Sequence, residues 1–170
     1  ADVRYLLLAL DAATGRVLWE REAHKAPPFR GRHRKNTYAS ETPVTDGERL
    51  YASFGGNVGL FCYALDGTLI WKRTWTPQPI YLDFGTASSP VVHDGRVYVP
   101  AAGVGEEGQG GSAKYECCTF RGSVTALDAN TGSVIWKSWA IEEPKPRGQN
   151  KEGVQLWGPA GAGIWAAPTV

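Results

Sequence analysis

Val124-Thr125-Ala126-Leu127-Asp128-Ala129-Asn130-Thr131-Gly132-Ser133-Val134-Ile135-Trp136 reads as two short β runs joined by a turn. Val, Thr, Ile and Trp suit a pleated, half-buried surface. Between the runs, Asp-x-x-Thr-Gly supplies a side-chain acceptor for the turn's own amides and a glycine that accepts positive φ. The same module stands at Tyr5 to Glu20 (YLLLALDAATGRVLWE) and, shortened, at Cys62 to Trp71 (CYALDGTLIW). Three copies of one hairpin make the chain a repeat.

A second module alternates with the first. Ser40 to Ser53 (SETPVTDGERLYAS) and Ser88 to Val99 (SSPVVHDGRVYV) each read as a strand opening near proline, an Asp-Gly turn and a strand of alternating Val, Leu and Tyr. Its opening recurs in Ala166-Ala167-Pro168-Thr169-Val170. Proline there suits a sheet edge, where a ladder donor is spared.

Each repeat is thus two hairpins, or four antiparallel strands. Pro43 to Pro90 and Trp19 to Trp71 set a period of about 50 residues, which with four strands per unit is the mark of a β-propeller blade. No 3.6-residue periodicity persists between turns, so a helical solenoid is excluded. The expected fold is all-β: a partial β-propeller of four-stranded antiparallel blades, about two and three-quarter blades in extent. Residues 1–22 read as the last two strands of a blade, 37–75 and 85–140 as complete blades, and 159–170 as the first strand of the next. Propellers close with ~4 to 8 blades. The chain is therefore expected to be part of a longer protein or to associate with further blades, including its own copies, because open blade faces invite partners.

Three stretches interrupt the blades: the basic run Arg30 to Lys35, the glycine-rich Gly103 to Lys114, and Ile141 to Gly158 with Pro144 and Pro146, read as a long irregular connection. The basic run lacks interleaved aromatics, and the glycine-rich one lacks the phosphate-cradling order. With 18 basic and 17 acidic residues, no nucleic-acid partner is expected. No apolar run approaches the ~18 residues of a membrane span. The 170-residue chain has no Met and begins with Ala1, which reads as an excised or fragmentary chain with no targeting signal in view.

Candidate chemistry starts from three cysteines, Cys62, Cys117 and Cys118. Cys62 lies in an alternating apolar run and reads as a buried thiol. Cys117 and Cys118 are covalent neighbours, closer than the usual disulfide spacing. Two readings stand for the dipeptide: two ordinary thiols, or a bonded pair offering a stiff, flat, polarisable surface to a planar ligand. Asp11, Asp66 and Asp128 read as turn residues and His93 as a surface turn histidine, so no catalytic or metal-binding residue is assigned. No Cys-x-x-Cys-His haem attachment occurs.

The Ala-Leu-Asp-x-x-Thr-Gly-x-x-x-Trp repeat resembles the propeller repeats of quinoproteins, which bind pyrroloquinoline quinone (PQQ). Cys117-Cys118-Thr119-Phe120-Arg121-Gly122 and residues 155–170 are similar, more narrowly, to polyvinyl-alcohol dehydrogenases and related quinoprotein alcohol dehydrogenases. The resemblance implies a vicinal disulfide at Cys117 and Cys118 stacking on the quinone. It implies a quinone-carboxylate contact for Arg121, whose planar fork meets a carboxylate with two hydrogen bonds. Trp165, three residues before Pro168, falls where the family points a side chain at the cofactor. The resemblance further implies calcium, an aspartate base from a later blade, a cytochrome electron acceptor and a periplasmic setting. Residues 1–100 look closer to generic propeller-repeat proteins than to the dehydrogenases. The alternative expectation is a non-catalytic propeller scaffold or sensor segment similar to the outer-membrane assembly lipoprotein, with vestigial cysteines.

Overall fold

The structure, a computed structural model, describes residues 2–28, 34–55, 58–75, 87–102 and 111–170. Among them there is no helix, and the chain runs β1 (Val3–Leu10), β2 (Val17–Ala26), β3 (Val44–Thr45), β4 (Arg49–Ser53), β5 (Leu60–Ala64), β6 (Leu69–Arg73), β7 (Val91–His93), β8 (Arg96–Ala101), β9 (Ser123–Asp128), β10 (Val134–Trp139), β11 (Lys145–Gln149) and β12 (Gln155–Gly158). Two four-stranded antiparallel sheets, ordered β3-β4-β5-β6 and β7-β8-β9-β10, lie between the two-stranded ribbons β1-β2 and β11-β12. This is the partial propeller expected of the repeat. β3 and β7, which follow Pro43 and Pro90, are edge strands. Residues 30–33 of the basic run and 103–110 of the glycine-rich run lie outside the described residues.

The sheets stack through two apolar layers. Tyr5 and Leu7 of β1 bury against Ala52, Phe54, Phe61 and Tyr63, with Phe54 edge-on to both Tyr5 (5.5 Å between ring centres) and Phe61 (5.8 Å). On its other face the same sheet buries Tyr51, Leu60 and Cys62 against Val97, Leu127 and Ala129. Period-2 alternation sends successive residues to opposite faces, so Tyr51 and Ala52 serve different layers. Each fully buried aromatic or aliphatic side chain contributes about 1.5–3 kcal/mol.

A polar device locks each sheet to the next. The Trp71 indole N–H donates to the Ala129 carbonyl (3.0 Å), joined there by the Tyr51 hydroxyl (3.3 Å), while Arg73 donates to the Gly132 carbonyl (2.9 Å). One sheet earlier, Trp19 donates to the Leu65 carbonyl (2.9 Å) and Arg21 to the Gly67 carbonyl (2.8 Å). Tryptophan thus seats on the next module's turn. The turn is rigid because the Asp128 carboxylate accepts from the amides of Asn130 (2.9 Å) and Thr131 (2.8 Å) and from the Thr131 hydroxyl (3.0 Å).

Two expectations differ from the fold. Within 141–158, read as irregular, β11 and β12 pair as a hairpin. Asn150 makes its turn: the side chain accepts from Glu152 N (2.9 Å) and Val154 N (3.0 Å), with Gly153 at φ 75°. Pro146 is tolerated because a two-stranded ribbon is all edge. Residues 159–170, read as a first blade strand, contain no strand.

Candidate functional site

The loop entering β9 carries the candidate residues. Cys117 and Cys118 are bonded to each other through a cis peptide, and both are half-buried. Of the two readings left open by the dipeptide, the structure takes the bonded pair. The third cysteine, Cys62, is a fully buried free thiol.

β12 and the segment after it hold this loop in place. The amide of Trp157 donates to the Cys117 carbonyl (2.7 Å) and its indole N–H to the Glu116 carboxylate (2.5 Å). Gly161 donates to the Phe120 carbonyl (2.9 Å) and its carbonyl accepts from Gly122 (3.1 Å), forming a parallel bridge between Arg121 and Gly161. The approach is so close that a Cβ on Gly122 would collide with the Ala162 carbonyl. Only glycine fits there. Ala140 N also donates to the Gly122 carbonyl (2.8 Å), tying the loop to the end of β10.

Arg121 emerges from that clamp. Its guanidinium lies over the Trp139 ring, 4.2 Å from the centre, and one N–H reaches the Ile141 carbonyl (3.5 Å). Lys137 brings its ammonium to 4.0 Å from the same ring. Burial, and then the Arg121 charge, hold the Lys137 pKa below its ordinary value. Cation–π contact with one ring offsets some of the repulsion between the two cations. Among the described residues Arg121 has no ion-pair partner. A patch with two cations, one aromatic ring and unused guanidinium donors suits an anionic planar group.

Trp165 is placed differently. It is 68% exposed, with its indole folded back over Gly163, whose position is also pressed by the Ala102 carbonyl. Ser88 anchors the preceding carbonyl, that of Ile164 (2.8 Å). The structure therefore brings the cysteine loop and residues 156–164 together by backbone pairing, and puts Trp165 on that segment with its ring beside Gly163. Trp139 and Lys137 were not singled out by the sequence: Trp139 lies beyond the repeated tryptophan and outside the module's pattern. The faint signal was a second tryptophan three residues after the repeated one in Trp136-Lys137-Ser138-Trp139, a spacing the other two copies lack. Among the described residues no three His, Cys, Asp or Glu side chains gather as a metal site.

Comparisons with known proteins bear on the same features. The family model described as outer membrane protein assembly factor BamB, built on the PQQ-like repeat, matches residues 1–160. Polyvinylalcohol dehydrogenase from a Pseudomonas species is 37% identical over 166 residues, 95% of this chain and 24% of that protein. The dehydrogenase subunit of alcohol dehydrogenase (quinone) from Komagataeibacter europaeus is 26% identical over 169 residues, 92% of this chain and 21% of that one. The chain thus spans about a quarter or less of the curated relatives it matches. The similarity to the polyvinylalcohol dehydrogenase runs through the first hundred residues as well. In fold, a quinohemoprotein alcohol dehydrogenase from Pseudomonas putida HK5 superposes with a TM-score of 0.50 at 21% identity, over 86% of this chain and 20% of that one. The chain belongs to the PQQ-like β-propeller repeat family.

Proposed function

We propose that this chain is a segment of a PQQ-dependent alcohol dehydrogenase-like protein and supplies one wall of the quinone pocket. One observation carries the reading: a bonded Cys117-Cys118 pair stands just ahead of Arg121, whose guanidinium has no ion-pair partner among the described residues. The similarity to a polyvinylalcohol dehydrogenase supports it.

When bound, the quinone would accept two electrons from an alcohol. The residues of this chain bind and orient. The disulfide of Cys117 and Cys118 offers a flat, polarisable face, fixed by the Trp157 amide at the Cys117 carbonyl. Arg121, its guanidinium held over the Trp139 ring, would hold a carboxylate of the quinone. Lys137 adds a second positive charge beside it. Trp165 would close the edge of the pocket after its ring swings off Gly163. Among the described residues no three His, Cys, Asp or Glu side chains gather, and the calcium ligands would come from outside this chain. The catalytic base, a cytochrome acceptor and the remaining blades would come from outside this chain. The disulfide implies an oxidising, periplasmic setting.

A second reading, a non-catalytic propeller scaffold or sensor segment, is favoured by the match of residues 1–160 to the outer membrane protein assembly factor BamB model. Equilibrium dialysis of the chain against PQQ, with and without calcium, separates the two. The first reading expects saturable binding, weakened roughly 10- to 100-fold by Arg121→Gln as a bidentate charged contact is lost, and weakened by Cys118→Ala. Absence of saturable binding, or binding that neither substitution alters, overturns it in favour of the scaffold.

A further inference from the structure

We infer that Asp94-Gly95, the turn between β7 and β8, is a site of spontaneous isoaspartate modification, and that the chain's other two Asp-Gly pairs are protected from it by their turns. The inference is independent of the cofactor reading.

The three pairs stand at 46–47, 66–67 and 94–95. They share one intrinsic chemistry, because glycine puts no side chain in the way of the nitrogen that follows the aspartate. At Asp94 the Gly95 nitrogen would form a bond to the side-chain carboxyl carbon. The carboxyl OH and the amide hydrogen leave together as water, closing a five-membered imide. Water then adds back at one of the two imide carbonyls. Opening at the backbone carbonyl leaves the chain running through the aspartate β-carbon and frees the former backbone carbonyl as a carboxylate. Nothing is oxidised or reduced, and water is the only co-reactant. Two conditions decide which pair reacts: the carboxyl must be free to swing onto the next nitrogen, and that nitrogen must be free of an acceptor that holds its planar amide in place.

Asp46 and Asp66 meet neither condition. The Asp46 carboxylate accepts from the amides of Glu48 (3.0 Å) and Arg49 (2.7 Å) and from the Tyr51 hydroxyl (2.8 Å), and its side chain is 25% exposed. The Gly47 amide donates to the Thr45 hydroxyl (3.0 Å). The Asp66 carboxylate accepts from the Thr68 amide (2.8 Å), and the Gly67 amide donates to the Ala64 carbonyl (2.9 Å).

Asp94 meets both. Counted from Pro43 and Pro90, the β3–β4 and β7–β8 hairpins have the same length, with Val44 opposite Tyr51 and Val91 opposite Tyr98. The Asp-Gly pair, however, falls one position later in the second hairpin. His93 therefore stands where Asp46 does, and Gly95 where Glu48 does, so the carboxylate that holds the Glu48 amide has no counterpart for Gly95. Asp94 and Gly95 become the two central residues of a tight turn, at φ 46° and 68°. The Asp94 side chain is 80% exposed, and among the described residues its carboxylate meets only the Arg96 guanidinium, at 3.4 Å. An ion pair that exposed holds its partners weakly. Among the described residues the Gly95 amide has no acceptor, and nothing lies within 4 Å of the glycine's Cβ position, which leaves room for water at the imide. The Gly95 carbonyl accepts from the Ala129 amide (2.9 Å), so the added backbone carbon acts on the tie between this turn and the β9–β10 turn.

Ageing of the native chain in neutral buffer, beside the same chain unfolded in urea, tests this. Isoaspartyl methyltransferase with radiolabelled S-adenosylmethionine marks each isoaspartate, and peptide mapping assigns the label. In urea the three pairs should gain label at similar rates, since the fold alone distinguishes them. In the native chain, its β circular-dichroism spectrum intact, Asp94 should gain label roughly tenfold faster than Asp46 and Asp66, the factor expected where one hydrogen bond must break before attack. Asp94→Glu keeps the charge but would need a six-membered ring, and its peptide should stay unlabelled. Asp94→Asn should lose ammonia through the same imide and convert to aspartate and isoaspartate at position 94. Native Asp94 labelling no faster than the other two overturns the inference. So does the same ranking in urea, label on the Asp94→Glu peptide, or an Asp94→Asn chain that keeps its amide. None of these measurements involves the cysteine loop, so PQQ binding and this modification can fail separately.

Discussion

Cys62 shows what burial does to one side chain. It sits in β5 with no exposed surface, and that burial pushes its thiol up to about 11, with Arg49 lowering and Asp46 raising it by smaller amounts. At neutral pH almost none of it is thiolate, the reactive form. A thiol-specific dye should therefore find no rapidly reacting group in the native protein, one after unfolding, and three after unfolding with reduction. Three from the outset would break the Cys117–Cys118 bond out of the account. The alternating run around Cys62 already marked it as buried. The pair at 117–118 needed the fold, because the dipeptide suits two thiols as well as one bond. The stacking partner of Arg121 was not legible in the sequence: the loop and the end of β10 meet through Gly122 and Ala140, a contact that no spacing encodes.

At the scale of elements, the tryptophan seat sets the sheet-to-sheet distance. Gly132 has φ 69° and lies directly under the Trp71 ring, so Gly132→Ala meets both a backbone penalty and a steric one. Gly95, with φ 68° and open space around it, meets the backbone penalty alone. Urea unfolding should show Gly95→Ala costing about 1–2 kcal/mol and Gly132→Ala about 2–4 kcal/mol once overpacking is added. Equal costs would mean the ring yields freely and the seat does not set the spacing. The hairpins themselves were readable, since Asp-x-x-Thr-Gly and Asp-Gly carry their own turn chemistry. The β11–β12 ribbon was hidden behind Pro144, Pro146 and Gly148. Prolines argue against a strand only where every donor is needed, and β11, which carries Pro146, has β12 alone beside it in its sheet.

Across the whole molecule the repeated turns act together on acid stability. Asp11 is held below its ordinary value of 3.8 by the Thr14 hydroxyl and amide. Asp66 is lowered by the Thr68 amide and hydroxyl, and Asp128 by the Thr131 amide and hydroxyl. For Asp46 burial pulls upward, and the amides of Arg49 and Glu48 with the Tyr51 hydroxyl outweigh it. A carboxylate whose folded pKa is depressed contributes stability that is present above its unfolded value and lost as pH falls through the folded one. The urea midpoint should thus stay level from neutral pH down to about 5 and fall as pH drops below 3.8, with Asp128→Asn showing a shallower fall. A midpoint indifferent to pH across that window would remove the turns from the account.

The sequence by itself determined the repeat, the hairpins and the four-stranded units. Those depend on alternation and turn chemistry within about a dozen neighbouring residues, where local sterics and hydrogen bonds suffice. The tertiary structure alone decided which reading of the cysteine pair holds, what Arg121 stacks on, and that Trp19 and Trp71 find seats on the turns of the following modules. Each of those is a meeting of groups distant along the chain, and such a meeting depends on how sheets stack rather than on what any segment prefers.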